Sequence, residues 1–306
     1  MSSNAPTSPR SDFFAKRQDV VILVDMSRQD NAELHAHEFS ELVIITGGHG
    51  IHFTESGHYP VSTGDVFVID PGLSHGYRET HHLALMNVLF NFDRLNVPLV
   101  DLVESPGFHA LFRLEPHYRH EHAFESRLKL DAPQLKEVSA LITRMKLQKQ
   151  AAQPGHEFIH LALFMQLVGF LSQSYSKMVS EPSRRLMNAG KVFSHIERHF
   201  DRPITTAELC KIAHLSESSL LRLFHETVGT SPHDYLLAIR INHARNLLTT
   251  SPDKIISIAF QTGFTDSNYF TRQFKKRTGL SPAAYRARNE TAPTPHRNPR
   301  KRLLKR

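Results

Sequence analysis

The chain has 306 residues, a length that suits two ordinary hydrophobic cores, and its one cysteine, Cys210, excludes a disulfide scaffold. The net charge of +7 is unevenly spread: residues 1–183 carry 15 Lys/Arg against 21 Asp/Glu, residues 184–285 carry 14 against 8, and residues 286–306 carry 8 against 1. Phosphates would repel the first half and attract the second. MSSNAPTSPR at the start holds no apolar signal core, and apolar runs such as 161–171 are too short or interrupted to span a bilayer. A cytoplasmic protein without a membrane partner is expected.

In chain order, residues 1–18 are polar and read as disordered. Residues 20–24 are a short strand candidate. ELVIIT (41–46) and DVFVID (65–70) are rich in branched residues, HGIHF (49–53) alternates less cleanly, and LALMNVLFNF (83–92) continues the pattern. GG, ESG, STG and DPG between them are turn signals. Several short strands joined by such turns predict a small barrel or jelly roll whose mouth could hold a ligand. His35, His37 and Glu41 form an H-x-H-x-x-x-E pattern before the first of these strands, and His75 follows the DVFVID strand. Side chains two apart on a strand face the same way, so a shared site is physically reasonable. It could bind a divalent metal, or form a pocket wall that hydrogen-bonds a ligand. Residues 93–122 give no clear pattern.

Residues 134–150 place Leu135, Val138, Leu141, Ile142 and Met145 at helical spacing, and residues 158–175 do the same with Leu161, Leu163, Phe164, Leu167, Val168 and Leu171. The pair could pack on the strands or against a second copy. SKMVSEPSR (176–184) reads as a linker, followed by a helix over 186–200. Then a unit appears twice. TAELCKIAHLSESSLLRLFHETVGTSPHDY (206–235) and IISIAFQTGFTDSNYFTRQFKKRTGLSPAAY (255–285) each hold two short amphipathic helices around a tight turn, and end in G-x-S-P-x-x-Y. Glycine ends a helix, serine caps the next, and proline fits its first turn. An apolar helix over 236–248 joins the copies. Two helix-turn-helices with polar, basic outer faces predict entry into a DNA major groove. The tail, TAPTPHRNPRKRLLKR, reads as disordered.

Residues 186–287 strongly resemble the DNA-binding region of the arabinose-regulator (AraC/XylS-type) family, above all in AFQTGFTDSNYFTRQFKKRTGLSPAAYR. The resemblance implies base-facing roles for Ser218, Leu221 and Arg222 in the first unit. In the second it implies them for Asp266, Ser267, Asn268, Thr271 and Arg272, with Lys275 beside them. His214 stands where the family has a turn glycine, and Cys210 where it has alanine. The histidine pattern resembles the cupin superfamily, which implies that His35, His37, Glu41 and His75 can hold a divalent metal. DFF at residue 12, the run from His35, the turn and strand at 48–53 and NVLF at 87–90 are similar to the rhamnose-responsive activators. That implies a monosaccharide effector, with His35, His37, Glu41, His52, His75 and Tyr77 as hydrogen-bonding groups and Phe39 and Phe53 as walls. For residues 107–113 the family implies a surface segment.

The expected fold is mixed: an N-terminal cupin-like β barrel with a helical dimerisation segment, and a C-terminal all-α domain with two helix-turn-helix units. The expected domains are a disordered 1–18, a sensory and dimerisation domain at 19–175, a linker at 176–184, a DNA-binding domain at 185–287, and a basic tail at 288–306. The expected function is a non-enzymatic, ligand-responsive transcription regulator. Its partners would be double-stranded DNA, a small effector, a second copy and, for an activator, RNA polymerase. No cofactor is required, with a divalent metal as the open addition. The competing readings are a metal-dependent cupin enzyme fused to a DNA-binding domain, and a ligand-blind regulator whose barrel only dimerises.

Overall fold

The computed structural model describes residues 7–8, 21–26, 28–92, 95, 99–119, 124–151 and 153–290. By its internal contacts the chain divides into two compact units, residues 1–195 with 209–227, and residues 196–208 with 228–306. Most of 1–18 and of 288–306 lies outside the described residues. Thr7–Ser8 (β1) is described, in parallel register with Ala36 and His37.

The sheet of the first unit rests on two long strands, β4 (Ser40–Thr54) and β7 (His75–Phe90), paired antiparallel along most of their length. Each takes two further partners in succession. β2 (Val21–Met26) and β3 (Ala32–His37) follow one another along β7, while β5 (Gly57–Ser62) and β6 (Asp65–Ile69) share β4. The runs 41–46 and 49–53 are therefore one strand, and the run at 83–92 is the far part of a strand that starts at His75. Bulges bend the pair: its register shifts at Ile45/Gly47, Gly47/His49 and His49/Ile51, with Gly48, Glu79 and His82 at positive φ. A Cβ at Gly48 would strike the carbonyls of His81 and His82, so the bend needs glycine there.

The expected cupin-like barrel is not formed. Strand order is β1-β3-β7-β4-β6-β8, and its end strands, β1 and the two-residue β8 (Leu128–Lys129), do not pair among the described residues. The sheet is open and bent, because both its faces are covered without closure. Val43, Ile45, Tyr59, Phe67, Tyr77 and Leu85 pack with Phe124 on one face. Leu42, Ile44, Val88 and Phe90 are as deeply buried on the other, where Phe90 meets Phe112 and Phe164 from the helices. A strand apolar on both faces reads the same under a barrel wall or under a helix.

Residues 106–118 are helical and buried, which corrects the surface segment expected at 107–113. They form α1 (Pro106–His109), a π-turn (Ala110–Leu114) and α2 (Glu115–Tyr118), with Phe108, Leu111 and Leu114 inside. α3 (Ala132–Ala151) begins with a reciprocal cap, in which the Gln134 N–H donates to Asp131 Oδ1 (2.8 Å) and the Asp131 N–H to Gln134 Oε1 (3.0 Å). α4 (His156–Ser176) packs on it, burying Leu163, Phe164, Leu167, Val168 and Leu171. By length and composition α4 could cross a bilayer, but half of its apolar stretch is buried within this unit. Its outer face exposes Phe158, Ile159 and Met165. α5 (Glu181–Arg198) starts inside the stretch read as linker.

The C-terminal region is all helical, as expected: α6 (Thr206–Ala213), α7 (Glu217–Val228), α8 (Pro232–Thr250), α9 (Ile255–Gln261), α10 (Ser267–Thr278) and α11 (Pro282–Glu290). Ser231 accepts from the Asp234 N–H (3.1 Å) and Ser281 from the Ala284 N–H (3.2 Å), each ahead of a proline in the first turn. Leu237, Ile241, Ala244, Ile258, Ala259, Phe270 and Phe274 form the core of the second unit. In the first unit, Leu220, Leu223 and Phe224 of α7 turn inward, and Phe224 stacks on Phe193 at 4.5 Å.

Candidate effector site and nucleic-acid interface

Three strands bring the predicted polar residues together. β3 carries His35 and His37, β4 carries Glu41 and His52, and β7 carries His75 and Tyr77; His35 lies opposite His75, and His52 opposite Tyr77. His37 Nε2 is 2.7 Å from Glu41 Oε2, and His75 Nε2 is 3.7 Å from the same oxygen. The His35 and His75 rings are 4.4 Å apart, and the His52 and His75 rings 5.9 Å. Phe39 stacks on His37 at 4.1 Å. Phe53 does not join the group: next to His52 on the strand, it points to the opposite face and carries Arg78 over its ring.

The backbone decides which ring nitrogens face inward. The Nδ1–H of His37 donates to the Phe39 carbonyl (2.7 Å), that of His35 to Glu33 (3.0 Å) and that of His75 to Leu73 (3.3 Å). A carbonyl only accepts, so in the neutral rings all three Nε2 atoms carry lone pairs. The His37 Nε2 lies within hydrogen-bond distance of Glu41 Oε2, and the His75 Nε2 faces the same oxygen from beyond that distance. Binding of Nδ1–H to carbonyls is also how metal-ligating histidines are held. The ligating atoms of His37, Glu41 and His75 lie within 4.8 Å of one another, so the cluster could coordinate a metal.

Among the described residues, the fully buried His52 has no hydrogen-bond partner for either ring nitrogen, and the buried Tyr77 hydroxyl has none either. Each such group costs about 1–3 kcal/mol until something satisfies it. Burial, followed by the charge of Arg119, pushes the His52 pKa well below the ordinary histidine range; burial likewise lowers His75 to about 4 and raises Tyr77. These side chains therefore present neutral donors and acceptors near pH 7. Beside His75 opens a cavity of about 310 Å³, bordered also by Thr54, Glu55, Tyr59, Pro116 and Arg119. Arg119 is held by a bidentate pair with Glu115 (2.8 and 3.1 Å) and lies over the Phe124 ring at 4.5 Å. Tyr59, Pro116 and Arg119 escaped the sequence reading; the only local signal was an arginine beside aromatic residues in an unpatterned stretch.

On the helical side, Ser218, Leu221 and Arg222 are exposed on α7. On α10, Asn268, Arg272 and Lys275 are exposed at i, i+4 and i+7, forming one face, while Ser267 and Thr271 are half-buried. The Thr271 hydroxyl donates to the Ser267 carbonyl (2.9 Å). Asp266 caps the helix, accepting from the N–H groups of Asn268 (2.6 Å) and Tyr269 (2.8 Å), bonds that also lower its pKa. It therefore fixes the first turn of α10. Arg277, outside the predicted set, pairs with Asp234 at 2.9 Å and ties α10 to α8.

Residues 18–168 match the AraC-like ligand binding domain family, and residues 209–288 match a helix-turn-helix domain family. Over 286 residues the chain is 30% identical to an HTH-type transcriptional activator RhaR from Enterobacter sp. (strain 638), covering 92% of this chain and 97% of that protein. The chain belongs to the AraC/XylS family of transcription regulators. Proteins of the same description from Escherichia coli (strain K12) and Salmonella schwarzengrund (strain CVM19633) are both 29% identical, over 92% and 90% of this chain and 96% and 95% of their own. A probable AraC family transcriptional regulator from Rhodopseudomonas palustris CGA009, of known structure, is 27% identical over 33% of this chain and 96% of its own, with a TM-score of 0.32. As a member of the AraC/XylS family, the protein is a DNA-binding regulator with a ligand-binding domain, and the family is not one of enzymes.

Proposed function

We propose that this AraC/XylS-family protein is a cytoplasmic, dimeric, monosaccharide-responsive activator, with rhamnose as the leading effector. The observation that carries the effector reading is the unsatisfied pair His52 and Tyr77 in the histidine–glutamate cluster, whose His75 also borders a cavity of about 310 Å³. A polyol supplies the hydroxyl donors and acceptors these neutral groups lack. Similarity to activators described as RhaR supports rhamnose and, with it, contact with RNA polymerase. The exposed Phe158, Ile159 and Met165 on α4 support a face that a second copy covers. Ser218, Leu221 and Arg222, and Asn268, Thr271, Arg272 and Lys275, are assigned to the DNA interface, with Asp266 and Ser267 at the entry of α10.

A second reading of the same cluster, a divalent cation held by His35, His37, Glu41 and His75, is favoured by the Nδ1–carbonyl bonds that turn the Nε2 atoms inward. The deciding experiment is binding to the protein's own upstream DNA at fixed salt, titrated with rhamnose, fucose, xylose and arabinose, with and without prior chelation. A change in affinity with one sugar supports the reading. Specific binding that no sugar alters would leave a ligand-blind regulator, and loss of the sugar response on chelation would assign the cluster to a metal.

A further inference from the structure

The short helix α2 has two neighbours, the cavity of the effector reading and the helix α7. Pro116 and Arg119, on either side of Tyr118, border the 310 Å³ cavity. The buried Tyr118 hydroxyl donates instead to Glu226 Oε2 at 2.7 Å, across 108 residues of chain. Glu226 lies on α7, the second helix of the first helix-turn-helix, four residues after Arg222 and hence on the same face. Tyr118 and Arg222 also border one cleft of about 470 Å³, with Arg185, His214 and Ser219. Stacking reinforces the contact: His109 lies on Phe193 at 5.4 Å, and Phe193 on Phe224 at 4.5 Å. All these residues fall within the first compact unit.

A major groove about 12 Å wide takes a helix of about 10–12 Å with its side chains, and leaves no room for a second segment on the reading face. With Tyr118 bonded to Glu226, the face of α7 that carries Arg222 already has a neighbour. We propose that α2 is an autoinhibitory latch: its Tyr118 holds the first helix-turn-helix away from DNA, and a ligand that displaces Pro116 and Arg119 in the cavity releases it. The release step rests on the cavity being the effector site; the latch itself does not. α2 can do both because it is four residues long, so a shift on its cavity side moves Tyr118 with it. The two states are α7 docked and α7 free, and the ligand biases the equilibrium between them.

The test uses the full chain and its own upstream DNA without any sugar. Tyr118→Phe deletes the donor without changing charge or ring packing, and DNA affinity should rise about 5-fold, the weight of one hydrogen bond. Hydrogen exchange of α7 should rise with it. Glu226→Gln keeps an acceptor and removes a charge that phosphates repel, so the background Tyr118→Phe serves to separate the two effects: any extra gain there belongs to the charge. Unchanged or weaker binding by Tyr118→Phe, with α7 exchange as in the wild type, overturns the latch. L-rhamnose is then added as probe. If it strengthens wild-type binding, Tyr118→Phe should respond less, and an equal response overturns the release step. If rhamnose leaves the wild type unchanged, the rhamnose reading fails while the sugar-free comparison still decides the latch.

Discussion

His214→Gly should stabilise the first helix-turn-helix. Both copies end their first helix with the same pair of bonds. Leu215 N–H donates to the Cys210 carbonyl (3.1 Å) and His214 N–H to Lys211 (3.4 Å); in the second copy Phe264 N–H donates to Ala259 (3.0 Å) and Gly263 N–H to Phe260 (3.0 Å). The pattern needs a left-handed residue, at φ 82° in Gly263 and at φ 55° in His214. A side chain in that region costs roughly 1–2 kcal/mol. Glycine returns about 0.5–1 kcal/mol of this through the freedom of the unfolded chain. The net gain is about 0.5–1 kcal/mol, or roughly 2–4 °C in Tm. His214 is exposed, so little packing is lost. Thermal unfolding followed by far-ultraviolet circular dichroism measures it, with His214→Ala as control because alanine keeps the Cβ. A glycine variant no more stable than the alanine variant would refute the argument. Gly263 shows the converse limit: a Cβ there would meet the Phe200 carbonyl and Arg240 Nε, so histidine cannot replace it.

Three further outcomes are expected. Arg272→Ala should cost about 1–3 kcal/mol of discrimination between the specific site and mismatched DNA, whereas Asp266→Ala should lose its cap and lower the urea midpoint, with specificity kept. Competition binding against mutated sites and urea unfolding separate the two, and an equal loss on every DNA sequence would place Arg272 on phosphate. Stability should also fall in acid because of His75, whose folded pKa of about 4 lies below the ordinary 6.5. The unfolded chain takes up the proton first, so the contribution is intact above pH 6.5 and is lost as pH falls to about 4. His52, shifted the same way by burial, adds to this slope. Urea midpoints from pH 7 to 4 should therefore decline less steeply in His75→Gln, and identical slopes would contradict the burial argument.

The histidine cluster was legible because its signal is short in range. His35 and His37 lie on one strand face by the period of two, and Glu41 follows four residues later in the same turn of chain. Phe53 was misplaced by the same rule, since it neighbours His52 and must face away. Arg119 and Tyr59 were not legible, because no pattern in the chain records that a helix behind DVFVID swings an arginine over Phe124.

By itself the sequence determined the helix-turn-helix units, their turns and caps, the uneven charge and the shared strand face of His35 and His37. Each of these depends on residues within a few positions: Ser231 and Ser281 cap the next N–H groups, and Gly229 and Gly279 supply the left-handed turn. Only the tertiary structure decided that the sheet stays open, that residues 106–118 are buried helix, and that Tyr118 reaches Glu226. Closure depends on which distant strands pair and on what covers each face. The apolar run at 41–46 is compatible with a barrel wall and with a sheet backed by Phe112 and Phe164, and only long-range packing separates the two.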